Sequence, residues 1–197
     1  AGSVRIPAAM TGVVGMKPSA GLVSRLGVIR EASAPSIDNV GIVARNVGDV
    51  GSVLAAIAGP DSGDGSTLHG TASVDFEPSM AREDIDGVRI AVLDKHTRAA
   101  ISELWPLDSE VESAFGKACE VLVDAGVTLV PIELPSLASA TNAVVTFFST
   151  ELAFAHRKII NDKSEYYHPD VLQMLRQALA TPPSDIINAV QFRDILR

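Results

Sequence analysis

The chain has 197 residues, 47% of them hydrophobic, and carries 16 Lys and Arg against 24 Asp and Glu for a net charge of −8. That length and apolar fraction suffice for one domain with a sizeable core, and the acidic balance argues against a nucleic-acid or anionic-membrane surface on this piece. No apolar run approaches the roughly 18–20 residues of a spanning helix, no secretory signal pattern is visible, and the lone Cys119 has no internal disulfide partner, which fits a reducing cytoplasm.

The chain opens on Ala1-Gly2-Ser3-Val4-Arg5-Ile6-Pro7-Ala8. A serine after a small residue and a glycine, ahead of a short apolar segment, suits a nucleophile at the mouth of a turn. Glycine lets the backbone approach a substrate closely. The first N–H groups of a following helix point outward unpaired, and they can stabilise an oxyanion while the hydroxyl attacks. The same pattern also fits a serine that merely caps the helix. Residues 3–10 predict one short helix, with Pro7 in its first turn, where the missing N–H costs little. Residues 12–28 place Gly12, Gly15, Gly21 and Gly27 among apolar pairs, a pattern of short strands and tight turns. Lys17 precedes Pro18, which keeps its backbone extended.

Asn46 predicts an N-cap, with Asp49 in the first turn at the positive helix end. Val50, Val53, Leu54 and Ile57 follow as an apolar stripe, and Gly59-Pro60 stops the helix. From 60 to 87 periodicity is lost, and the stretch predicts a mobile surface connection. Its Asp61 and Asp64 lack the alternating spacing of a calcium loop, so no metal site is expected. Residues 88–93 predict a buried strand, 94–108 a loop, and Ser109 with Glu112 a capping box. Val111, Ala114, Phe115, Ala118, Cys119, Leu122 and Ala125 mark one helical face, ended by Gly126, and 127–132 a second strand. Strand, helix, strand in this order is a βαβ unit with parallel strands and a right-handed crossover. Cys119 reads as a small core residue.

Beyond 138 the pattern is helical. Val144, Phe148, Leu152, Ala155 and Ile159 form one face, Pro169 starts a second helix with Val171, Leu172, Leu175 and Leu179, and Ser184 caps a third. Glu151 with His156, or the surroundings of His168, are candidate acid–base groups that read equally as ordinary helical polar residues. His69 and His96 fall in predicted loops and make no ligand spacing.

Four blocks together carry a resemblance: Gly2-Ser3-Val4-Arg5-Ile6-Pro7-Ala8-Ala9, Gly15-Met16-Lys17-Pro18-Ser19, Gly21-Leu22-Val23-Ser24-Arg25-Leu26-Gly27 and Ser36-Ile37-Asp38-Asn39-Val40-Gly41-Ile42-Val43-Ala44-Arg45. In order, spacing and residue type this string resembles the amidase signature family, densely over 1–64 and more loosely afterwards. The resemblance implies an α/β fold with a mixed sheet flanked by helices on both faces. It implies a serine hydrolase of amides with Ser3 as nucleophile, and backbone N–H groups of Ala1, Gly2 and Ser3 in the oxyanion region. The base it implies is a lysine relayed through a second serine in a cis peptide, both upstream of the nucleophile, which removes Lys17 from that role. The block holding Asp38 would pack under the nucleophile segment, which makes Asp38 the expected partner of Arg5 if that arginine is buried; the alternative is two solvated charges on separate loops.

Ala1 stands where many members carry glycine. The Ala-Gly-Ser form, as in stand-alone amidases and allophanate hydrolases, points to a stand-alone enzyme. The transamidating tRNA amidotransferases, whose catalytic chains act with partner subunits on charged tRNA, more often show Gly-Gly-Ser, and a non-catalytic scaffold is the third reading. The expected partner is a small-molecule amide, with a homo-oligomer or amidotransferase subunits as further possibilities, and the chemistry needs no metal or organic cofactor. The segments expected are a signature core at 1–64, a connection at 65–87, the βαβ unit at 88–135 and a helical segment at 136–197. The chain reads as the middle of a longer protein, inactive by itself.

Overall fold

The computed structural model describes residues 2–29, 36–67, 84–134 and 137–195. It is α/β, with both antiparallel and parallel strand pairs. The chain forms two compact units, one from residues 1–81 and 142–191, the other from 82–141 and 192–197. Ala1, His69 and Pro135 lie outside the described residues, as does most of the 65–87 connection.

The first unit opens with helix α1, Gly2–Thr11, followed by strand β1, Val14–Met16. Strand β1 pairs antiparallel with β2, Ile42–Ala44, in the register Val14↔Ala44 to Met16↔Ile42. The β2 strand lies outside the 12–28 stretch expected to hold the strands. Helix α2, Val47–Ile57, follows. The Asn46 side chain caps it as predicted, accepting from the Asp49 amide at 2.8 Å. Val50 and Leu54 are buried with Val23 and Ile42, and Val14, Met16 and Leu22 close the cluster. Each fully buried aliphatic side chain of this kind contributes about 1.5–3 kcal/mol. The predicted stripe is narrower than expected: Val53 and Ile57 are 42% and 39% exposed, and the small Gly51 is buried in line with Val50 and Leu54.

The second unit is built on parallel strands β3, Arg89–Leu93, and β4, Thr128–Ile132, paired from Arg89↔Thr128 to Leu93↔Ile132. The strand–helix–strand unit is therefore present. Its connection differs in that 94–108 is not a loop. Helix α3 runs Lys95–Leu104, started by the Asp94 carboxylate, which accepts from the Thr97 amide at 2.7 Å. Helix α4, Ser109–Asp124, is capped one residue earlier than predicted, because Asp108 takes the cap and accepts from the Glu110 amide at 2.8 Å. The Glu112 carboxylate, expected to fold back onto Ser109, instead accepts from Arg98 at 3.0 Å. The predicted α4 face does turn toward β3. Val111, Phe115 and Leu122 line an apolar cleft of about 410 Å³ together with Ile90, Val92 and Ile101.

Helix α5, Leu137–Asp162, packs in the first unit against α6, Pro169–Leu179. Ala153, Ile160, Leu175 and Ala178 are buried together, with Tyr167 and Leu172 against them. The predicted α5 face is rotated. Val144, Phe148 and Ile159 are exposed, and Ala143, Ala153 and Ile160 are the buried positions. Small side chains let α6 approach closely, so alanines rather than the bulkier residues line the contact. Helix α7 spans Pro183–Ile195, so Ser184 lies in its first turn and is not the residue preceding it.

Candidate active site

Ser3 is the second residue of α1 and is exposed. At that position its own N–H and that of Gly2 belong to the opening helical turn, where no intrahelical acceptor exists. Pro7 is sixth in the helix, not in the first turn, because the helix starts at Gly2. Its missing N–H removes the donor that would have met the Ser3 carbonyl. The helix is closed at its other end by Thr11 Oγ1, which donates to the Pro7 carbonyl at 2.7 Å, and by the Val13 amide, which donates to the Ala8 carbonyl at 3.0 Å.

Two glycines fix where α1 sits. A Cβ on Gly15 would lie 2.5 Å from the Ala8 Cβ and 3.0 Å from the Val4 carbonyl oxygen. A Cβ on Gly41 would meet the Val4 side chain, with Cγ1 at 2.8 Å and Cγ2 closer still. Val4 and Ala8, one turn apart, thus rest directly on backbone at β1 and at the entry to β2, and the neighbouring Ser3 is left facing outward.

Arg5 is exposed, and no Arg5–Asp38 ion pair forms among the described residues. A second arginine meets Asp38 instead: Arg25 Nη1 donates to the Asp38 backbone carbonyl at 3.4 Å. An exposed guanidinium keeps its hydration and requires no carboxylate. The Lys17 ammonium donates to the carbonyl of the adjacent Pro18.

The most extensive polar network joins the 22–25 turn to residues 61–67, and nothing in the sequence pattern points to it. Ser24 Oγ donates to Asp61 Oδ2 at 2.6 Å, and the Arg25 amide donates to Asp64 Oδ2 at 2.7 Å. Asp64 is 1% exposed, and its Oδ1 accepts from the Ser66 amide at 3.0 Å and the Ser66 hydroxyl at 2.7 Å. Thr67, also buried, donates to the Asp64 carbonyl at 2.8 Å. This start of the expected mobile connection is a built turn. Its one local signal is Asp-x-x-Asp-x-Ser-Thr, a run whose side chains hydrogen-bond neighbouring backbone. Hydrogen bonds from Ser24 and then from the Gly63 amide hold the Asp61 carboxyl below its ordinary value. The Thr97 amide does the same for Asp94. Among the described residues no group of three or more His, Cys, Asp or Glu side chains is placed to hold a metal ion.

The histidine candidates separate. Glu151 accepts from the Ser36 amide at 2.9 Å. His156 Nδ1 lies 2.6 Å from Tyr167 Oη, with the rings edge to face. His168 stands at the start of α6, its Nδ1 3.6 Å from Asp170. His96 is exposed on α3, not in a loop. Cys119 is a half-buried free thiol on α4. No helix among the described residues is long and apolar enough to cross a membrane.

Comparison with known proteins places this arrangement. The Amidase family profile matches residues 1–191. The catalytic-type relative most like it in curated form is the A-subunit of glutamyl-tRNA(Gln) amidotransferase from Halobacterium salinarum, one of several such relatives, which is 39% identical over 150 residues, covering 76% of this chain and 33% of that protein. Among solved structures, a crystal structure of an amidase superposes with a TM-score of 0.75 at 25% identity, over 100% of this chain and 39% of its own. The peptide amidase of Stenotrophomonas maltophilia gives 0.66 at 27% identity, over 95% of this chain and 41% of its own. The chain thus spans about a third of the length of the curated relative it matches. On these matches, and on the signature blocks that run from Gly2 to Arg45, the chain belongs to the amidase family, the amidase signature enzymes.

Proposed function

We propose that the whole protein hydrolyses a carboxylic amide through Ser3. The observation that carries this is the placement of Ser3: exposed, in the opening turn of α1, beside outward N–H groups and locked by Val4 on Gly41. Ser3 Oγ attacks the amide carbon, and its proton passes to the base. The N–H groups of Gly2 and Ser3, with Ala1, receive the oxyanion of the tetrahedral intermediate. Losing one such donor typically costs ~10²–10³ in rate. Collapse breaks the C–N bond, the base returns the proton to the leaving nitrogen, and water then hydrolyses the acyl-serine ester by the same sequence. The base follows the family pattern, a lysine relayed through a second serine upstream of Ser3. Arg5 and Asp38 support the nucleophile segment without pairing with each other. The substrate is a small amide in a cytoplasmic setting, and this piece contacts no nucleic acid.

In the full-length protein, Ser3→Ala is expected to abolish amide turnover with the fold intact, and a fluorophosphonate is expected to label Ser3 alone. Labelling at Ser24 or Ser36 would overturn the assignment.

A second reading is the catalytic chain of a tRNA-dependent amidotransferase, which rests on the 39% identity to such a chain. It keeps Ser3 and adds partner subunits. Partner subunits that copurify with the full-length protein, and ammonia transfer to a charged tRNA, would favour it over a stand-alone amidase. A catalytically silent scaffold predicts neither labelling nor turnover.

A further inference from the structure

We propose that Glu151 on α5 is a positioning residue for the nucleophile turn, acting through the main chain of residues 36–41; the proposal rests on the reading of Ser3 as nucleophile. Glu151 Oε2 accepts from the Ser36 amide at 2.9 Å, a contact that spans 115 residues of sequence. From Ser36 the chain runs to Gly41 with fixed points along it. Asn39 Nδ2 donates to the Ile37 carbonyl at 3.1 Å, and Arg25 Nη1 donates to the Asp38 carbonyl at 3.4 Å. At Gly41 the backbone lies so close to Val4 that no Cβ fits, and Val4 is bonded to Ser3. The 36–41 segment is therefore held at one end by a carboxylate and abuts the residue after the nucleophile at the other. An ionised acceptor makes a shorter and stronger hydrogen bond than a neutral one. The amide of Ser36 is exposed to competition from water, so the tether is the element that decides how often the segment leaves its seat. Small displacements of a nucleophile from its attack position lower rate steeply.

The test uses the full-length protein and a fluorophosphonate. Glu151→Ala is expected to slow labelling of Ser3 about threefold to tenfold and to speed hydrogen exchange at the Ser36 amide. Glu151→Gln keeps an accepting oxygen and is expected to stay within about twofold of the parent. Glu151→Asp is too short to reach the amide and is expected to behave as Glu151→Ala, which covers the case in which the alanine variant fails to fold. Parental labelling rates in Glu151→Ala or Glu151→Asp would overturn the proposal, as would a Glu151→Gln variant as slow as Glu151→Ala. Labelling that persists in Ser3→Ala would sink the nucleophile assignment and the positioning role together. Exchange at Ser36 reads the tether itself, so unchanged exchange with Ser3-dependent labelling intact would overturn the Glu151 proposal alone.

Discussion

The amide of Arg25 donates to Oδ2 of Asp64 at 2.7 Å, and the same oxygen lies 3.9 Å from the Arg25 guanidinium Nε. With both Ser66 donors on Oδ1, this carboxylate satisfies an entire turn while 1% exposed. Asp64→Ala strands these donors in a buried site, a loss expected to cost about 3 kcal/mol. Urea unfolding of the full-length protein measures it, and a change below ~0.5 kcal/mol would mean water replaces the carboxylate freely.

Asp61 sets the acid limb of stability. Its folded pKa is lowered by the Ser24 and Gly63 donors, so the unfolded chain binds the proton more tightly. The stabilisation is complete above the ordinary carboxylate range and is lost as pH falls through the lower folded value. Ser24→Ala removes the first of these causes. Its stability deficit relative to the parent is expected at pH 7 and should shrink below about pH 4. A deficit that grows on acidification would reverse the sign and refute the linkage.

Gly15 tests the seating of α1. Gly15→Ala puts a methyl 2.5 Å from the Ala8 Cβ, and Val4 backbone is on the other side, so the helix has to lift off β1. Overpacking of this kind costs ~1–3 kcal/mol. The Ser3 labelling rate should fall with it. Unchanged labelling would show that α1 and β1 move together without disturbing Ser3.

What can be read from the chain depends on how local its cause is. The Asn46 cap and the Gly59 stop involve neighbours within a turn, and both are where the pattern puts them. Helix α3 escapes the pattern because its few apolar residues, Ala99, Ala100 and Ile101, are bunched and give no period. The α5 face is misjudged because alanine, valine and phenylalanine occur all round that helix, so periodicity does not choose between the sides. The β2 strand is only Ile42–Ala44, too short for an alternation to register without β1. The Asp61–Asp64 network joins residues 37 and 39 apart, which no window detects. At the site, motif spacing carries Ser3, and the arginine that reaches Asp38 is Arg25 rather than Arg5.

Leu122 examines the second unit. It is half-buried on α4 and lines the apolar cleft with Ile90 and Val92 of β3. Partial burial puts Leu122→Ala toward the lower end of core truncations, about 2 kcal/mol by urea unfolding. A value under ~0.5 kcal/mol would mean that this face of α4 does not carry the packing of the unit.

The last prediction is that a polypeptide of residues 1–197, by itself, hydrolyses no amide. A serine hydroxyl becomes an effective nucleophile only when a base within hydrogen-bond reach takes its proton. Among the described residues no hydrogen bond joins the Ser3 hydroxyl to any side chain. The one lysine near in sequence, Lys17, gives its ammonium to the Pro18 carbonyl. An ordinary lysine has a pKa of about 10.4 and is protonated near neutral pH, so even a free Lys17 would be a poor base unless desolvated. Purified 1–197 and its Ser3→Ala variant, assayed side by side on an aryl amide, should give equal background rates. The full-length protein should give Ser3-dependent turnover of the same substrate or rapid Ser3 labelling. Reproducible Ser3-dependent turnover by 1–197 alone would mean that a base for Ser3 lies within this stretch, and Lys17→Met would then be the variant to make first.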